Sequence, residues 1–325
     1  MLDPAEGVRL ACRAPSTRAM PPVVSLAALL VSLAAFGGCG GSTPDGPHRD
    51  VANAGRPDAG RPDAAADTSR TGLVADAGPA RDTLSAAAPP LPAGFVHLAD
   101  VAPELAQEMR YFGSFNFVGE RIDGYRAPTC ILAAQAARAL ALVDADLARR
   151  GLGLKVYDCY RPQSAVDHFV RWARSGQTTM KQGFYPTEPT ATLFSRGYIA
   201  TRSGHTRGAT VDLTLIDRTN PAAVRRDADY PDPADGPLPR CDRDRDGTPG
   251  ARFDDGDLDM GTAFDCLSPR AATDARGIPA AARRNRDTLR AAMARRGFEN
   301  YSKEWWHFTL RPEPFPRTYH TFPVE

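Results

Sequence analysis

Two short segments hold the residue types that a hydrolytic metal site requires. Ser203-Gly204-His205-Thr206-Arg207-Gly208 runs into the apolar stretch Ala209–Ile216, with His205 seven positions before Asp212. Neutral imidazole nitrogens and carboxylate oxygens are both ordinary ligands of zinc, and a catalytic zinc usually takes three protein ligands and leaves one position open for water. The third ligand is expected about a hundred residues on, in Ser302-Lys303-Glu304-Trp305-Trp306-His307-Phe308, where a carboxylate precedes a histidine by three residues. His307 then completes the ligand set, and Glu304 is the candidate general base. A histidine beside a strand is more often a satisfied structural residue, so His205-x6-Asp212 carries little weight by itself. It is the joint presence of both segments that points to metal-assisted hydrolysis.

The elements that must position these residues follow from periodicity. Residues 209–216 alternate as a strand presenting Asp212, with Gly204 and Gly208 allowing tight turns around His205. Leu154–Tyr160 alternates as a second strand, and Arg161-Pro162 ends it, so Arg161 projects from a strand end. Phe95–Leu98 and Met109–Phe112 read as short strand or strand-edge pieces. Residues 130–150 carry Ile131, Leu132, Ala136, Leu140, Val143 and Leu147 along one helical face, with Gly151 as the stop. Helices are also expected over 163–174, with Val166, Phe169, Val170 and Ala173 inward and His168 structural, and over 280–296, with Leu289, Ala292 and Met293 inward. The resulting fold class is α+β: a small, mostly antiparallel sheet carrying the zinc site, flanked by helices.

The ends of the chain differ from its middle. With 325 residues, formal net charge +1, 42% hydrophobic and 24% charged residues, the chain has no global basic bias toward nucleic acid. The basic helix at 280–296 has neither an aromatic platform nor a nucleic-acid motif beside it, and no protein partner is indicated. Residues 1–39 contain Arg9, Arg13 and Arg18, an apolar stretch from Val23 to Phe36, and Gly37-Gly38-Cys39, which reads as a signal sequence. The stretch is short for a bilayer span. Small residues before Cys39 resemble a lipoprotein processing site, with Phe36 unusual for its position, so Cys39 is the lipidation candidate and the protein's link to a membrane; plain secretion or an uncleaved anchor are the alternatives. A start at Met20 would leave an n-region without Lys or Arg. Residues 40–92, rich in Pro, Gly, Ala and Asp and repeating Gly-Arg-Pro-Asp-Ala, lack periodic apolar positions and are expected to form a disordered tether to a domain at 93–325. The localisation expected is exported, periplasmic or cell-envelope.

With Cys12 lost in the leader and Cys39 modified, Cys130, Cys159, Cys241 and Cys266 remain, an even number suited to an oxidising compartment. Of three possible pairings, Cys130–Cys159 and Cys241–Cys266 are preferred. The first joins the long helix to the strand before Arg161, and the second pins a polar insertion at 218–258. Within that insertion Asp242-Arg243-Asp244-Arg245-Asp246-Gly247 resembles the first half of a calcium loop, so Asp242, Asp244 and Asp246 are Ca2+ candidates. The twelfth position is Phe253 where a bidentate Glu belongs, and a solvated loop neutralised by its own arginines is the alternative.

Tyr160-Arg161-Pro162, Ser203–Gly208, Val211–Leu215, Asp259-Met260-Gly261, Phe264-Asp265 and Glu304–His307 occur in the order seen in zinc D-alanyl-D-alanine dipeptidases, which the chain resembles over roughly residues 95–323. The resemblance implies one Zn2+ on His205, Asp212 and His307, Glu304 as base, and Arg161 stabilising the oxyanion. It further implies that Ser203 binds substrate and that Asp265 receives the free ammonium of a small dipeptide. A related zinc D,D- or L,D-carboxypeptidase trimming wall peptides would keep the metal residues but lack the acid at 265. A non-catalytic wall-binding lipoprotein would not need the full set of ligands, base and arginine. The 218–258 insertion departs from compact members of the family.

Overall fold

The strand that carries Asp212 lies at the centre of the main sheet and is buried on both faces up to its last residue. In the computed structural model the structure describes residues 90–325; the leader, Cys39 and nearly all of the 40–92 tether lie outside them. In chain order the elements are β1 (Phe95–His97), α1 (Leu98–Val101), β2 (Ala106–Gln107), β3 (Ile131–Ala133), α2 (Ala134–Ala148), β4 (Leu152–Asp158) and α3 (Gln163–Ser175). They continue with α4 (Lys181–Phe184), β5 (Thr210–Asp217), α5 (Ala280–Ala294), β6 (Phe298–Asn300) and β7 (His307–Leu310). The main sheet runs β2-β4-β5-β7-β6, antiparallel except for the β2–β4 pair, and β1 and β3 form a separate antiparallel pair. The fold is α+β, a small and mostly antiparallel sheet flanked by helices.

The two faces of β5 have different neighbours. Val211, Leu213 and Leu215 enter one apolar core with Leu140, Val143 and Leu147 of α2 and Leu289, Ala292 and Met293 of α5, so both long helices bury their predicted stripes there. Each such aliphatic side chain removed from water contributes about 1.5–3 kcal/mol before entropy is counted. The alternate residues Thr210, Asp212 and Thr214 are buried too, but as polar groups: Thr210 Oγ1 meets Thr309 Oγ1 at 2.9 Å, and Thr214 Oγ1 donates to Asp257 at 3.1 Å. A second, aromatic-rich cluster gathers Phe117, Tyr160, Phe169 and Trp172 around α3, which Gly176 stops in the left-handed region (φ 77°).

Three local expectations are corrected. The helix predicted over 130–150 begins only at Ala134, because Ile131–Ala133 are taken by pairing with Phe95–His97; a short apolar run suits strand or helix equally, and the tertiary partner decides. Met109–Phe112 is not itself a strand: the β segment there is Ala106–Gln107, paired in parallel with Lys155 and Val156, and only an edge contact, the Arg110 amide donating to the Tyr157 carbonyl at 3.1 Å, continues past it. On α3, Trp172, Ala165 and His168 are buried while Val170 and Ala173 are only half-buried; His168 is structural, its Nδ1 accepting from the Asp123 amide at 3.2 Å.

The 218–258 segment is docked by its buried residues while much of it stays exposed, its aspartates are neutralised by arginines including its own, and among the described residues they form no metal-ligand cluster of the calcium-loop kind. Tyr230, Leu238, Cys241 and Phe253 are buried in the aromatic cluster. A charged lock ties the segment to the sheet: Lys155 donates to Glu108 (3.0 Å) and to the Asp255 carbonyl (2.5 Å), Arg110 pairs with Glu108 (2.6 Å) and stacks over Tyr230, and Arg245 is embraced by Asp254, Asp255 and Asp257. Arg245 and Arg252 hold the Asp255 carboxylate down to about 2 against the opposing effect of burial, whereas burial and the neighbouring Asp255 push Asp257 up to about 6. Asp242, Asp244 and Asp246 do not converge. Their oxygens face Arg240 (2.9 and 2.8 Å), Arg270 (2.6 Å) and the Thr248 amide and hydroxyl (3.0 and 2.7 Å), so guanidinium groups and the loop itself satisfy them.

Both expected disulfides are present, Cys130–Cys159 and Cys241–Cys266, with Cα separations of 5.4 and 5.5 Å. Cys130–Cys159 closes a sequence separation of 29 residues, and the chain-entropy relation assigns such a loop about 3–4 kcal/mol. Replacing both cysteines by alanine should lower the unfolding free energy by that order in urea denaturation; an unchanged midpoint would show that this bridge constrains nothing.

Candidate active site

Register in the ladder builds the site. Asp212 of β5 is paired directly with His307 of β7 on one side and with Asp158 of β4 on the other, so three ionisable side chains form one row across three strands. Paired residues share a face of the sheet. Asp158 joins this row only because the register shifts between Val156 and Asp158: Val156 faces Leu213, and the next β4 residue paired, Asp158, faces Asp212. Without the bulge Tyr157 would stand opposite Asp212 and Asp158 would point to the other face. Instead Tyr157 stacks on Phe264, ring centroids 4.4 Å apart.

His205 arrives from a 3-10 turn, His205–Arg207, that leads into β5 and closes at Gly208 in the left-handed region (φ 79°). A side chain at Gly208 would collide with the Phe95 ring, 2.3 Å from the ideal Cβ position. The His205 Nδ1–H donates to the Cys159 carbonyl at 2.7 Å, with Asp158 Oδ2 at 3.3 Å, which leaves Nε2 with its lone pair toward Asp212 and His307.

His205, Asp212 and His307 are the group among the described residues whose ligand atoms converge. His205 Nε2 lies 3.3 Å from Asp212 Oδ2 and 3.3 Å from His307 Nδ1, and His307 Nδ1 lies 3.1 Å from Asp212 Oδ1. A tetrahedral ion with bonds of about 2.0–2.1 Å separates its ligand atoms by roughly 3.3–3.4 Å; the two imidazoles stand at that spacing and each meets a different oxygen of Asp212, and with one atom taken from each residue the set lies within 4.8 Å, close enough to hold such a metal. Asp212 Oδ1 is also buried with no donor aligned to it, which a cation between the three atoms would remedy. Burial opposes ionisation of Asp212, but the two imidazoles outweigh it and hold the carboxylate well below its usual range. Burial depresses His307, favouring the neutral imidazole that a ligand needs.

Around this triad stand the other predicted residues. Glu304 is in the turn entering β7, its Oε2 3.5 Å from His307 Nδ1. Asn300 pins that turn by donating to the carbonyls of Glu304 and His307, both at 3.0 Å. Burial, then the charges of Asp212 and Asp265, push Glu304 well above an ordinary glutamate, the direction expected of a proton carrier. Arg161 donates Nε to Asp158 Oδ2 at 2.9 Å, brings Nη2 to 3.5 Å from Asp212, and lies over the rings of Tyr111 and Phe169. Asp265, with φ 57°, accepts from the Tyr111 hydroxyl at 2.7 Å; burial first and Asp212 next push its carboxyl up to about 7. An arriving ammonium ion would favour its charged form. Ser203 Oγ accepts from the His205 amide at 3.2 Å, which leaves its hydroxyl proton to donate. All line one cleft of about 200 Å³ together with Tyr111 and Phe169.

Sequence reading missed Asp158, Tyr111, Tyr125 and Asn300. Tyr125 donates to Asp158 Oδ1 at 2.5 Å and so helps to hold the carboxylate that orients both His205 and Arg161. Only Asp158 left a signal, an acid three residues before Arg161 at a strand end.

The sequence model of a peptidase family described as D-ala-D-ala dipeptidase matches residues 92–229 and 251–325, passing over the middle of the insertion. A D-alanyl-D-alanine dipeptidase of Streptomyces coelicolor is 36% identical over 233 residues, and one of Enterococcus faecium 32% identical over 234 residues; each alignment covers 71% of this chain and 98% of the relative. The Escherichia coli dipeptidase of the same name is 30% identical over 215 residues, covering 66% of this chain and 83% of the relative.

Asp158 touches no ligand atom except through His205, so Asp158→Asn should weaken metal binding on the order of 10- to 100-fold without unfolding the domain. Competition with a chromogenic chelator measures this, and an unaltered affinity would remove Asp158 from the site's support.

Proposed function

The chain belongs to the D-alanyl-D-alanine dipeptidase family of M15 peptidases, and we propose that it hydrolyses D-alanyl-D-alanine to two D-alanines with zinc held by His205, Asp212 and His307. The observation that carries this reading is the convergence of those three ligands with a buried glutamate, an arginine and a second acid in one cleft. Zinc bound there supplies Lewis-acid polarisation of a carbonyl and makes water more acidic.

The chain's own residues do the rest. Glu304 takes a proton from the attacking water as the new C–O bond forms, and delivers it to the departing nitrogen as the C–N bond breaks. Its raised proton affinity suits both halves of that task. Arg161 aims its guanidinium at the carbonyl oxygen as negative charge develops; Asp158 keeps it in place, so little reorganisation is needed at the moment of reaction. Asp265, oriented by Tyr111, receives the substrate's ammonium and thereby selects substrates by their free N-terminus. This acid favours a dipeptidase over a carboxypeptidase acting on wall peptides, in which the residue before the scissile bond has an acylated α-nitrogen and no free ammonium.

Export completes the proposal. Two disulfides suit an oxidising compartment, and the Val23–Phe36 stretch, Cys39 and the 40–92 segment read as an address and a tether. A lipid-anchored envelope enzyme would meet dipeptide outside the cytoplasm, in scavenging or wall turnover.

Glu304→Ala should retain one zinc per chain by elemental analysis while dipeptide turnover falls about 100- to 10,000-fold; comparable turnover by the variant would sink the base assignment. Wild-type enzyme should refuse N-acetyl-D-alanyl-D-alanine, and Asp265→Asn should lose activity on the free dipeptide. Fractionation of cells expressing the full chain should place activity with membranes; mainly cytosolic activity would overturn the proposed location.

A further inference from the structure

A free dipeptide presents three points to be recognised: its ammonium, its scissile carbonyl and its terminal carboxylate. Asp265 and the Arg161–metal-ligand group address the first two. The third needs a cation, and two permanently charged side chains line the cleft, Arg161 and Arg202. Arg161 is committed in the depth, paired with Asp158 at 2.8 Å and 3.5 Å from Asp212. Arg202 stands at the rim, exposed, next to Ser203. Among the described residues it makes no ion pair, and its guanidinium instead lies over the Tyr319 ring, 4.8 Å from the centroid.

That platform is built. Tyr319 belongs to a C-terminal strap laid over the turn that carries His205: its hydroxyl accepts from Arg207 Nη1 at 3.2 Å, and the His320 amide donates to the Thr206 carbonyl at 3.0 Å. Arg207 is itself clamped by Glu313 through two bonds of 2.6 and 2.9 Å. The strap therefore holds a planar cation beside the metal-ligand turn with its donors uncommitted to any carboxylate, the arrangement that a carboxylate-binding arginine requires.

Resting on the dipeptidase reading, we propose that Arg202 receives the C-terminal carboxylate of the dipeptide and that Tyr319 is the positioning residue that keeps it there. The cleft then reads both ends of its substrate, the ammonium in its depth and the carboxylate at its rim, and accepts two residues between them. A longer peptide would carry its carboxylate past Arg202, and an amidated dipeptide would present none.

The test compares D-alanyl-D-alanine with its C-terminal amide. Wild-type enzyme should favour the acid, and Arg202→Ala should raise KM for the acid on the order of 10- to 100-fold while kcat changes far less. The amide's KM should be unmoved, so the preference disappears in the variant. Arg202→Lys should restore part of it. Tyr319→Ala should weaken the preference and Tyr319→Phe, which keeps the ring, should retain most of it. An Arg202→Ala enzyme that still prefers the acid overturns the proposal. If the wild type turns over neither compound, the dipeptidase reading fails on its own account, and calorimetric binding of the acid and the amide to Glu304→Gln and to Glu304→Gln/Arg202→Ala still decides whether Arg202 reads a carboxylate.

Discussion

The site depends on one constraint, the register of the ladder through Asp212. Because β5 is central and buried on both faces, its apolar residues can occupy only the helix-covered side, and Asp212 is forced to the other, where His307 of β7 is its paired neighbour. A slip of one residue would put Leu213 in the ligand row and expel Asp212 into the apolar core, at the cost of an unpaired buried charge as well as lost packing. The hydrophobic core of the sheet and the geometry of the candidate metal site are therefore the same structural fact seen from two faces.

That geometry carries an electrostatic debt which the protein alone does not discharge. Asp158, Asp212, Asp265 and Glu304 are all buried around a single cleft. Among the described residues Arg161 is the guanidinium in the depth of the cleft beside them, Arg202 standing at its rim, and the raised proton affinities of Asp265 and Glu304 register the imbalance. A divalent ion on the triad and an ammonium at Asp265 are the cations such a cluster would attract. In this sense binding and catalysis draw on the same excess of negative charge, with Arg161 held by Asp158 and therefore pre-aligned, so that its charge remains on the reaction path.

The insertion shows a different solution to buried charge. Around the acids Glu108, Asp255 and Asp257 and the bases Lys155, Arg110 and Arg245 the two signs are paired within the protein, and the cluster serves to dock a long polar segment against the sheet. Cys241–Cys266 fastens the same segment one residue from Asp265, so the position of the acid proposed to bind substrate is tied to how the insertion docks. Removal of one partner from such a cluster leaves an uncompensated buried ion, which is why its loss would cost more than its presence contributes.

The sequence alone determined which candidate residues the site gathers and the class of the fold. Residue types decide which atoms are capable of ligation or proton transfer, and strict alternation around Asp212 with 3.6-residue stripes over α2 and α5 decides what is strand and what is helix. His205, Asp212, Glu304, His307, Arg161 and Asp265 were legible because each lies in a local pattern. Only the tertiary structure decided what those residues lean on. Asp158 enters the site through a bulge, Tyr111 reaches Asp265 across a separation of 154 residues, and Arg202 owes its platform to a strap more than a hundred residues later. Ile131–Ala133 became strand for the same reason that the insertion's aspartates turned to arginines: the deciding partner was distant in sequence, and no local periodicity encodes a distant partner.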